Sequence, residues 1–510
     1  MDLKDRTIPQ WSLDSESSPH SGSLNSLSAL TPEEEEKEKP TISPSRAYIA
    51  VAVLCFVNML IYMERNAVAG VLPSIQTFFN IGDSLSALLQ TVFILGVVVF
   101  APLFGYLGDR FNRKYVMIGA ISVWLVIAVG SSFVTKSLFW LLMLLRAIVG
   151  IGEASYATIA PTIISDVFVG TKRSLMIFFF YMFMAIGGGL GYVTGAGVAT
   201  LTGDWRWALR VTPILGAVGL VLLVFLCPNP PRGAAETHGE GVTGESTYLE
   251  DIKYLLKNKS YVWSSLGVTV VTFLTGALGF WMPTFLSRAR IIQGLQLPCV
   301  KEPCNPIDSY IFGAIMVVTG ILGTGLGSGC SSWLRDKVPN VDPIICAVGL
   351  LASVPCQFII IFVASASLPA TYVFTFFALL FVLANIAVMA DILLYVVIPT
   401  KRSTAEALQI SGCHLLGDAV SPYIIGAISD ALRKSKPATA GQSFHSLKYS
   451  LLLCPFVTLL GGLFYIISTC YITEDRKAAT ATPLIEGDLT PQQGPAASEP
   501  PLELSNGYIE

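Results

Sequence analysis

Six charged or ionisable residues lie inside long apolar stretches of the sequence, where an isolated charge is costly. They are Glu64, Arg65, Arg146, Glu153, His414 and Asp418. A single charge at the centre of a bilayer costs roughly 2.5–3.5 kcal/mol on insertion scales, so such side chains face a partner or a wet cavity and not lipid. We therefore expect them to bind an ionic ligand, to carry protons or to form structural ion pairs.

Glu64 and Arg65 are neighbours in the first apolar stretch. Successive residues of a helix point in directions about 100° apart, so the two side chains cannot face the same partner. We expect one to face a cavity and the other a neighbouring helix. The guanidinium of Arg65 suits an anionic headgroup such as phosphate. A purely structural ion pair is the alternative.

Arg146 and Glu153 lie seven residues apart in the fourth apolar stretch. Two helical turns separate them, which places both on one helix face about 10 Å apart along the axis. Either residue can contact substrate or protons, and either can belong to a charge pair that only holds helices together.

His414 and Asp418 are four residues apart and stack on one face of a predicted helix. A histidine beside a carboxylate can carry a proton because its pKa lies near working pH, and it can also contact a headgroup. A satisfied structural histidine and a metal or enzyme pair remain open, although no third ligand accompanies the two. Asn385, in the preceding stretch, is a weaker candidate. We predict no metal, no cofactor and no enzymatic activity.

The composition indicates a membrane protein. Of 510 residues, 53% are hydrophobic and 13% charged, whereas soluble domains carry about 25% charged residues. A net charge of −3 gives no reason to expect a nucleic-acid partner.

Twelve apolar segments are long enough to span a bilayer. They are 47–75, 85–107, 114–134, 138–164, 174–200, 207–227, 261–287, 308–331, 342–364, 369–396, 404–430 and 447–472. We predict an all-α membrane protein of two pseudo-symmetric six-helix halves, joined by a cytoplasmic linker with an interfacial helix and flanked by disordered cytoplasmic tails. The parts are a tail 1–45, halves 46–227 and 261–473, the linker 228–260 and a tail 474–510.

An internal repeat supports this division. The tetrapeptide Thr-Lys-Arg-Ser at 171–174 recurs at 400–403, and Leu-Gly-Asp-Arg at 107–110 recurs in weaker form as Leu-Arg-Asp-Lys at 334–337. Basic residues in the short loops favour cytoplasmic termini. Arg288, Arg290 and Arg433, in outer loops, oppose that orientation.

The loop between the second and third segments carries the densest charge pattern, formed by Gly105, Asp109, Arg110, Arg113 and Lys114. Its spacing resembles the signature of the loop between helices 2 and 3 in major facilitator transporters. Asp109 can hold helix-end donors and cations, and the basic residues can pair with acidic groups on a neighbouring helix. We predict a conformational latch that is weaker in the second half. An ordinary positive-inside loop is the alternative.

Two further patterns concern packing and the outer side. Gly187, Gly191 and Gly195 are four residues apart, as are the pairs Gly323/Gly327 and Gly325/Gly329, which predicts close helix packing. Cys299 and Cys304 lie in a predicted outer loop, where a disulfide is permitted. We predict that they are bonded.

Several stretches resemble the spinster family, which transports lipids. They are Ala69–Pro73, Gly152–Tyr156, Thr158–Pro161, Asp204–Arg210, Ala390–Pro399 and His414–Asp418. The resemblance implies export of sphingosine-1-phosphate-like sphingolipids or lysophospholipids, with proton coupling in some members. It also ties Arg65, Glu153 and His414 to transport. The chain departs from the family at Glu64, where aspartate is usual, at Ala185, where proline is usual, and at Ile386, where tryptophan is usual.

Together these patterns predict a secondary transporter that moves a lysolipid by alternating access, with proton coupling left open. We expect a monomer in the plasma membrane or an endolysosomal membrane. A transporter of a non-lipid organic anion is the alternative within the same class. A membrane-embedded lipid-binding receptor, which would need seven spans, is the rival from another class.

Overall fold

A computed structural model describes residues 43–168, 170–230, 248–299, 304–398, 401–434 and 439–487. For Asp109 it describes the backbone alone. The predicted tail up to residue 42, most of the linker before residue 248 and the tail beyond 487 lie outside the described residues.

The N-terminal half consists of α1 (Pro44–Gly70), α2 (Leu72–Phe79), α3 (Asp83–Arg110), α4 (Arg113–Ser131), α5 (Phe139–Val167), α6 (Gly170–Thr202) and α7 (Ala208–Leu226). The C-terminal half begins with α8 (Tyr248–Lys257), α9 (Lys259–Ile292), α10 (Ile307–Leu334), α11 (Val341–Val363), α12 (Leu368–Leu383) and α13 (Asn385–Val396). It continues with α14 (Arg402–Cys413), a π-helical turn (His414–Asp418), α15 (Ser421–Arg433), α16 (Ala440–Leu451) and α17 (Leu453–Gly487).

Twelve helical segments of the described chain are long and apolar enough to cross a membrane, which confirms the predicted all-α fold. Successive spans run in opposite directions, so every loop lies at one of two faces. We call the face where α1 begins the near face and the opposite one the far face.

Most predicted boundaries differ from the structure by a few residues, and three spans differ by a helix break or a long extension. The first span ends at Gly70, and α2 follows separately because Pro73 lacks the backbone N–H that a continuous helix needs. The last span begins at Ala440 and its helix continues to Gly487, past the predicted start of the tail at 474. The tenth span is divided at Ala384 into α12 and α13.

The glycines of α6 and α10 permit close helix contacts, with one exception. A Cβ on Gly187 would lie 2.3 Å from the carbonyl oxygen of Met59 in α1, and one on Gly327 would lie 1.9 Å from that of Ala384. By contrast, Gly325 and Gly329 have no atom within 4 Å of the added carbon. The prediction of close packing is therefore wrong for that pair, because those two positions face open space.

The two halves meet closely toward the far face. Gly189 of α6 packs against Gly313 of α10, where an added Cβ would lie 2.5 Å from a carbonyl oxygen. Ser309 donates to the carbonyl of Gly70 at 3.0 Å, and Tyr192 donates to that of Gly279 at 2.7 Å. These contacts place α1 and α6 of one half directly against α9 and α10 of the other.

Candidate functional site

Arg65 joins the two halves near the middle of the bundle. Its Nη1 lies 2.9 Å from Oε1 of Glu153 in α5, within its own half. Its Nη2 lies 2.5 Å from Oδ2 of Asp418 in the π-helical turn of the other half. One guanidinium therefore holds carboxylates from both halves, with two of its nitrogens committed.

His414 extends this cluster. Its Nδ1 lies 3.0 Å from Oδ1 and 3.1 Å from Oδ2 of Asp418. The His414 side chain is 26% exposed and that of Arg65 12%, whereas Glu153 and Asp418 are 3% exposed. Glu153 also keeps a buried Oε2 without a hydrogen-bond partner. His414 and Arg65 are therefore the two members of the cluster whose side chains are partly exposed. We call these four residues the central cluster.

The helix that carries His414 and Asp418 is wider than the predicted α-helix. A π-helical turn spans these five residues, and the N–H of Ala419 donates to the carbonyl of His414 at 3.0 Å. Gly417 allows this turn to approach α9, where an added Cβ would lie 2.9 Å from the side chain of Thr272. Such bulges are frequent at functional sites because they redirect side chains.

Glu64 and Arg146 form a second pair, separate from the central cluster. Arg146 Nη1 lies 2.9 Å from Glu64 Oε1, and both side chains are 1% exposed. Thr212 of α7 donates to the other Glu64 oxygen, and the ring of Phe93 lies 5.0 Å from Arg146 Cζ. The expected divergence of Glu64 and Arg65 is what the structure shows: Glu64 faces the N-terminal half and Arg65 faces the other half.

Asn385 does not join the central cluster. It is fully buried at the break between α12 and α13, where its Nδ2 donates to the carbonyls of Phe381 and Val382 at 2.9 and 3.0 Å. Its neighbour across the helix packing is Gly349 of α11. The side-chain amide therefore donates to backbone carbonyls at the helix break, and these contacts lie within the C-terminal half.

The loop with the major facilitator spacing lies at the near face, between α3 and α4. Arg113 pairs with Asp166 near the end of α5, as expected for a basic residue of the predicted latch. Arg110 lies over the ring of Tyr106 at 4.8 Å, while Gly105 has no atom within 4 Å of an added Cβ. The N–H of Lys114 donates to the side chain of Asn112 at 3.1 Å. The predicted role of the Asp109 carboxylate lies outside the described residues.

The repeat of this loop in the second half uses a different cation. Arg335 lies 3.0 Å from Asp391 and 3.1 Å from Asp342. Arg335 occupies the position of Gly108, so this ion-paired cation has no counterpart in the first loop. The contact of Arg110 is repeated, since Lys337 lies over the ring of Trp333 at 4.4 Å.

A charged network at the far face was not predicted from the sequence. Arg288 of α9 binds both oxygens of Asp83 at the start of α3, at 2.9 and 2.5 Å. In return, Asp430 of α15 accepts the backbone N–H groups of Asp83 and Ser84 at 3.1 and 2.8 Å. Arg433 lies 2.5 Å from Asp430. We call Asp83, Arg288, Asp430 and Arg433 the far-face lock, because its contacts cross between the halves.

The far-face lock also explains the basic residues that opposed the predicted orientation. Arg288 and Arg433 are partnered across the interface, and Arg290 pairs with Asp308 at 2.9 Å. Their charges are balanced locally, so they carry little information about orientation. One signal in the sequence could have indicated this pairing: the acidic residues Asp83 and Asp430 lie at span ends on the same face as the arginines.

The loop between α9 and α10 lies at the same face. Cys299 and Cys304 are joined in a disulfide, with Cα atoms 5.5 Å apart. The hydroxyl of Thr77 in α2 lies 3.5 Å from the carbonyl oxygen of Cys299. The loop of the C-terminal half thus reaches the N-terminal half.

Comparison with known proteins agrees with this architecture. The sequence profile described as Major Facilitator Superfamily matches residues 54–422. Protein spinster homolog 3 of Danio rerio is 61% identical over 452 residues, covering 89% of this chain and 90% of that protein. The chain belongs to the spinster family of the major facilitator superfamily. Protein spinster homolog 1 of Homo sapiens is 50% identical over 451 residues, covering 88% of this chain and 85% of that protein.

Solved structures of spinster and other major facilitator proteins share the fold. A bacterial homolog of the human lysosomal transporter Spinster, in an inward-facing and unoccupied conformation, superposes with a TM-score of 0.73 at 20% identity. The match covers 85% of this chain and 99% of that one. A D-xylose–proton symporter gives a TM-score of 0.62 at 17% identity, covering 82% and 97%. This spinster-family chain is therefore a multi-pass membrane transporter and not an enzyme.

Proposed function

We propose that this spinster-family protein transports an anionic lysolipid, either a sphingosine-1-phosphate-like sphingolipid or a lysophospholipid. The observation that carries the proposal is the position of Arg65, a partly accessible guanidinium held between Glu153 and Asp418. A phosphate offers the same bidentate geometry to guanidinium as a carboxylate does. A phosphate-bearing headgroup can therefore replace a carboxylate on Arg65.

The charges of the central cluster set the condition for that exchange. With His414 neutral, one cation faces two carboxylates, so an incoming anion meets net negative charge. Protonation of His414 gives Asp418 a second cationic partner 3.0 Å away. Asp418 then holds Arg65 less tightly, and the headgroup competes better. This is how proton and lysolipid would be coupled.

The exchange also connects binding to movement of the halves. Arg65 and Asp418 belong to different halves, so their ion pair stabilises one relative position of the two six-helix units. A headgroup that takes Arg65 from Asp418 weakens this link while adding its own contacts. For the opposite face to open, the far-face lock must also separate. We infer alternating access in which both links change during each cycle.

The lipid part of the proposal rests on the family, and the anion part on Arg65. A transporter of a non-lipid organic anion would use the same guanidinium, and its substrate would not need an acyl or sphingoid chain. The two are separated by reconstituting the full-length protein in proteoliposomes. Transport of sphingosine-1-phosphate and a lysophospholipid is compared with that of sphingosine, which lacks phosphate, and glycerol phosphate, which lacks the chain.

We expect transport of the two phosphorylated lipids and little of the other two compounds. Glycerol phosphate transported as well as the lipids would support the organic-anion alternative. Sphingosine transported equally well would contradict the role of the phosphate. Binding of all four without any movement across the bilayer would support a receptor.

A further inference from the structure

A second cationic site lies at the far face of the N-terminal half, away from the central cluster. Phe78 of α2 is approached by two cations: Lys136 Nζ lies 5.0 Å and Arg206 Cζ 4.8 Å from its ring centroid. The two charges are therefore within about one Debye length, about 10 Å at 0.1 M salt, and repel each other. Cation–π contact with one ring offsets this only in part, since it contributes about 0.5–1 kcal/mol at exposed sites.

A third cation follows one helical turn later. Arg210 of α7 lies 4.8 Å from the ring of Phe133 and 5.0 Å from that of Trp207, and its Nε donates to Ser132 at 2.9 Å. We call Lys136, Arg206 and Arg210 the far-face cationic cluster.

The acidic residue nearest in sequence, Asp204, forms a hydrogen bond to the backbone and no ion pair with the three cations. The Asp204 carboxylate accepts the backbone N–H of Arg206 at 3.0 Å and thereby begins the short turn 205–207. No ion pair to another described residue balances the three cations, in contrast to the arginines of the far-face lock. In addition, the Nε of Arg206 is buried without a hydrogen-bond partner. The cluster thus has an excess of positive charge and an unused donor.

The cluster lies at the ends of two membrane spans and beside exposed aromatic rings. Lys136 begins the fourth span, and Arg206 lies one residue into the sixth. Large apolar side chains project beside them, with Trp140 68% and Phe133 66% exposed. Amphipathic aromatic rings are enriched at the level of lipid headgroups. The phosphate of a membrane lipid would lie at this level beside the cluster.

We propose that the far-face cationic cluster binds the phosphate of an anionic phospholipid in the adjacent leaflet. The bound lipid neutralises the repulsion around Phe78, and its phosphate accepts hydrogen bonds from the guanidinium of Arg206 and the ammonium of Lys136. Its acyl chains lie against the exposed rings. This site is distinct from the transport site, because all three cations belong to one half and none contacts the central cluster.

The test measures lipid binding to the full-length protein in detergent by native mass spectrometry. Phosphatidylglycerol and phosphatidylcholine are titrated separately, in an Arg65→Ala background so that the central cluster does not contribute. Lys136→Gln and Arg206→Gln remove cations of the cluster. Lys259→Gln is the matched control, because this lysine also lies over an aromatic ring, 4.6 Å from that of Tyr471, but at the near face.

We expect phosphatidylglycerol to bind more tightly than phosphatidylcholine, and each cluster variant to lose about tenfold in affinity, as for one charge-assisted hydrogen bond. Lys259→Gln keeps the affinity, and Lys136→Arg restores binding. Equal binding of the two lipids, or an equal loss in Lys259→Gln, would overturn the proposal. Displacement of the lipid by inorganic phosphate alone would also overturn it, because the site would then bind free anions.

Discussion

Arg65 and Asp418, from opposite halves of the protein, form an ion pair 2.5 Å long beside the partly exposed side chain of His414. Ion pairs that cross between moving halves differ from those inside one half, because they must break if the halves separate. The Glu64–Arg146 pair, buried within the N-terminal half, has no such requirement. We therefore propose that Arg65 exchanges partners during transport, whereas Arg146 has a structural role.

Transport should depend on pH through His414. The groups around it are Asp418 in direct contact, with Arg65 and Glu153 behind. As pH falls and His414 becomes protonated, the imidazolium draws Asp418 away from Arg65, and the KM for the anionic lysolipid should fall. In His414→Gln this dependence should largely disappear. KM measured in proteoliposomes between about pH 5.5 and 8 checks this, and an unchanged pH profile in the variant would exclude the role.

Breaking the far-face lock should expose the start of α3. Asp430→Ala removes the carboxylate that accepts the N–H groups of Asp83 and Ser84. Hydrogen exchange in peptides covering 80–90 should then become faster, because these amides lose their acceptor and the halves separate more often. Asp336→Ala, at the near face, is the control. Equal exchange in wild type and Asp430→Ala would show that the contact does not hold the far face closed.

Two glycines of α10 should respond oppositely to alanine. Gly327→Ala places a methyl group 1.9 Å from the carbonyl oxygen of Ala384, whereas Gly325→Ala meets no atom within 4 Å. The first change should lower the melting temperature through overpacking of about 1–3 kcal/mol. The second should leave it unchanged or raise it, since alanine favours helix by about 0.5–1 kcal/mol over glycine. Thermal unfolding in detergent measures both, and similar melting temperatures would contradict the packing described here.

Removing one partner of the buried pair should destabilise the protein more than removing both. Arg146→Ala leaves the Glu64 carboxylate buried with only Thr212 as a partner. Breaking such a pair costs about 3–5 kcal/mol. The double variant Glu64→Gln with Arg146→Ala should recover much of this loss. The melting temperatures of Arg146→Ala, Glu64→Gln and the double variant measure the coupling. If the double variant melts at the temperature expected from adding both single losses, the residues do not act as a pair.

The helices could largely be predicted from sequence because apolar length is a local property. The twelve spans and the divergence of Glu64 from Arg65 both follow from short-range spacing. The residues of the central cluster were also identified, since a charge in an apolar stretch is conspicuous. Their partners were not, because which carboxylate meets Arg65 depends on how two distant halves pack.

The far-face lock and the π-helical turn show why the rest could not be predicted. Asp83 and Arg288 lie at the ends of spans, where charged residues are common. Their pairing becomes visible only when the two halves are packed against each other. The turn at His414–Asp418 depends on Gly417 packing against Thr272 of α9. Asn385 was also a candidate because it is a polar residue in an apolar span. Its amide instead donates to a backbone carbonyl at a helix break within its own half.

The proposed transport cycle depends above all on binding of the lipid headgroup by Arg65. Export of labelled sphingosine-1-phosphate and labelled lysophospholipid from cells tests it most directly, with Arg65→Ala compared with Arg46→Ala, an exposed arginine at the start of the same helix. Surface or organelle amounts of both variants are matched before comparison. We expect Arg65→Ala to lose at least about tenfold in transport, as for one charge-assisted contact, while Arg46→Ala transports normally. Export by Arg65→Ala equal to wild type would contradict it.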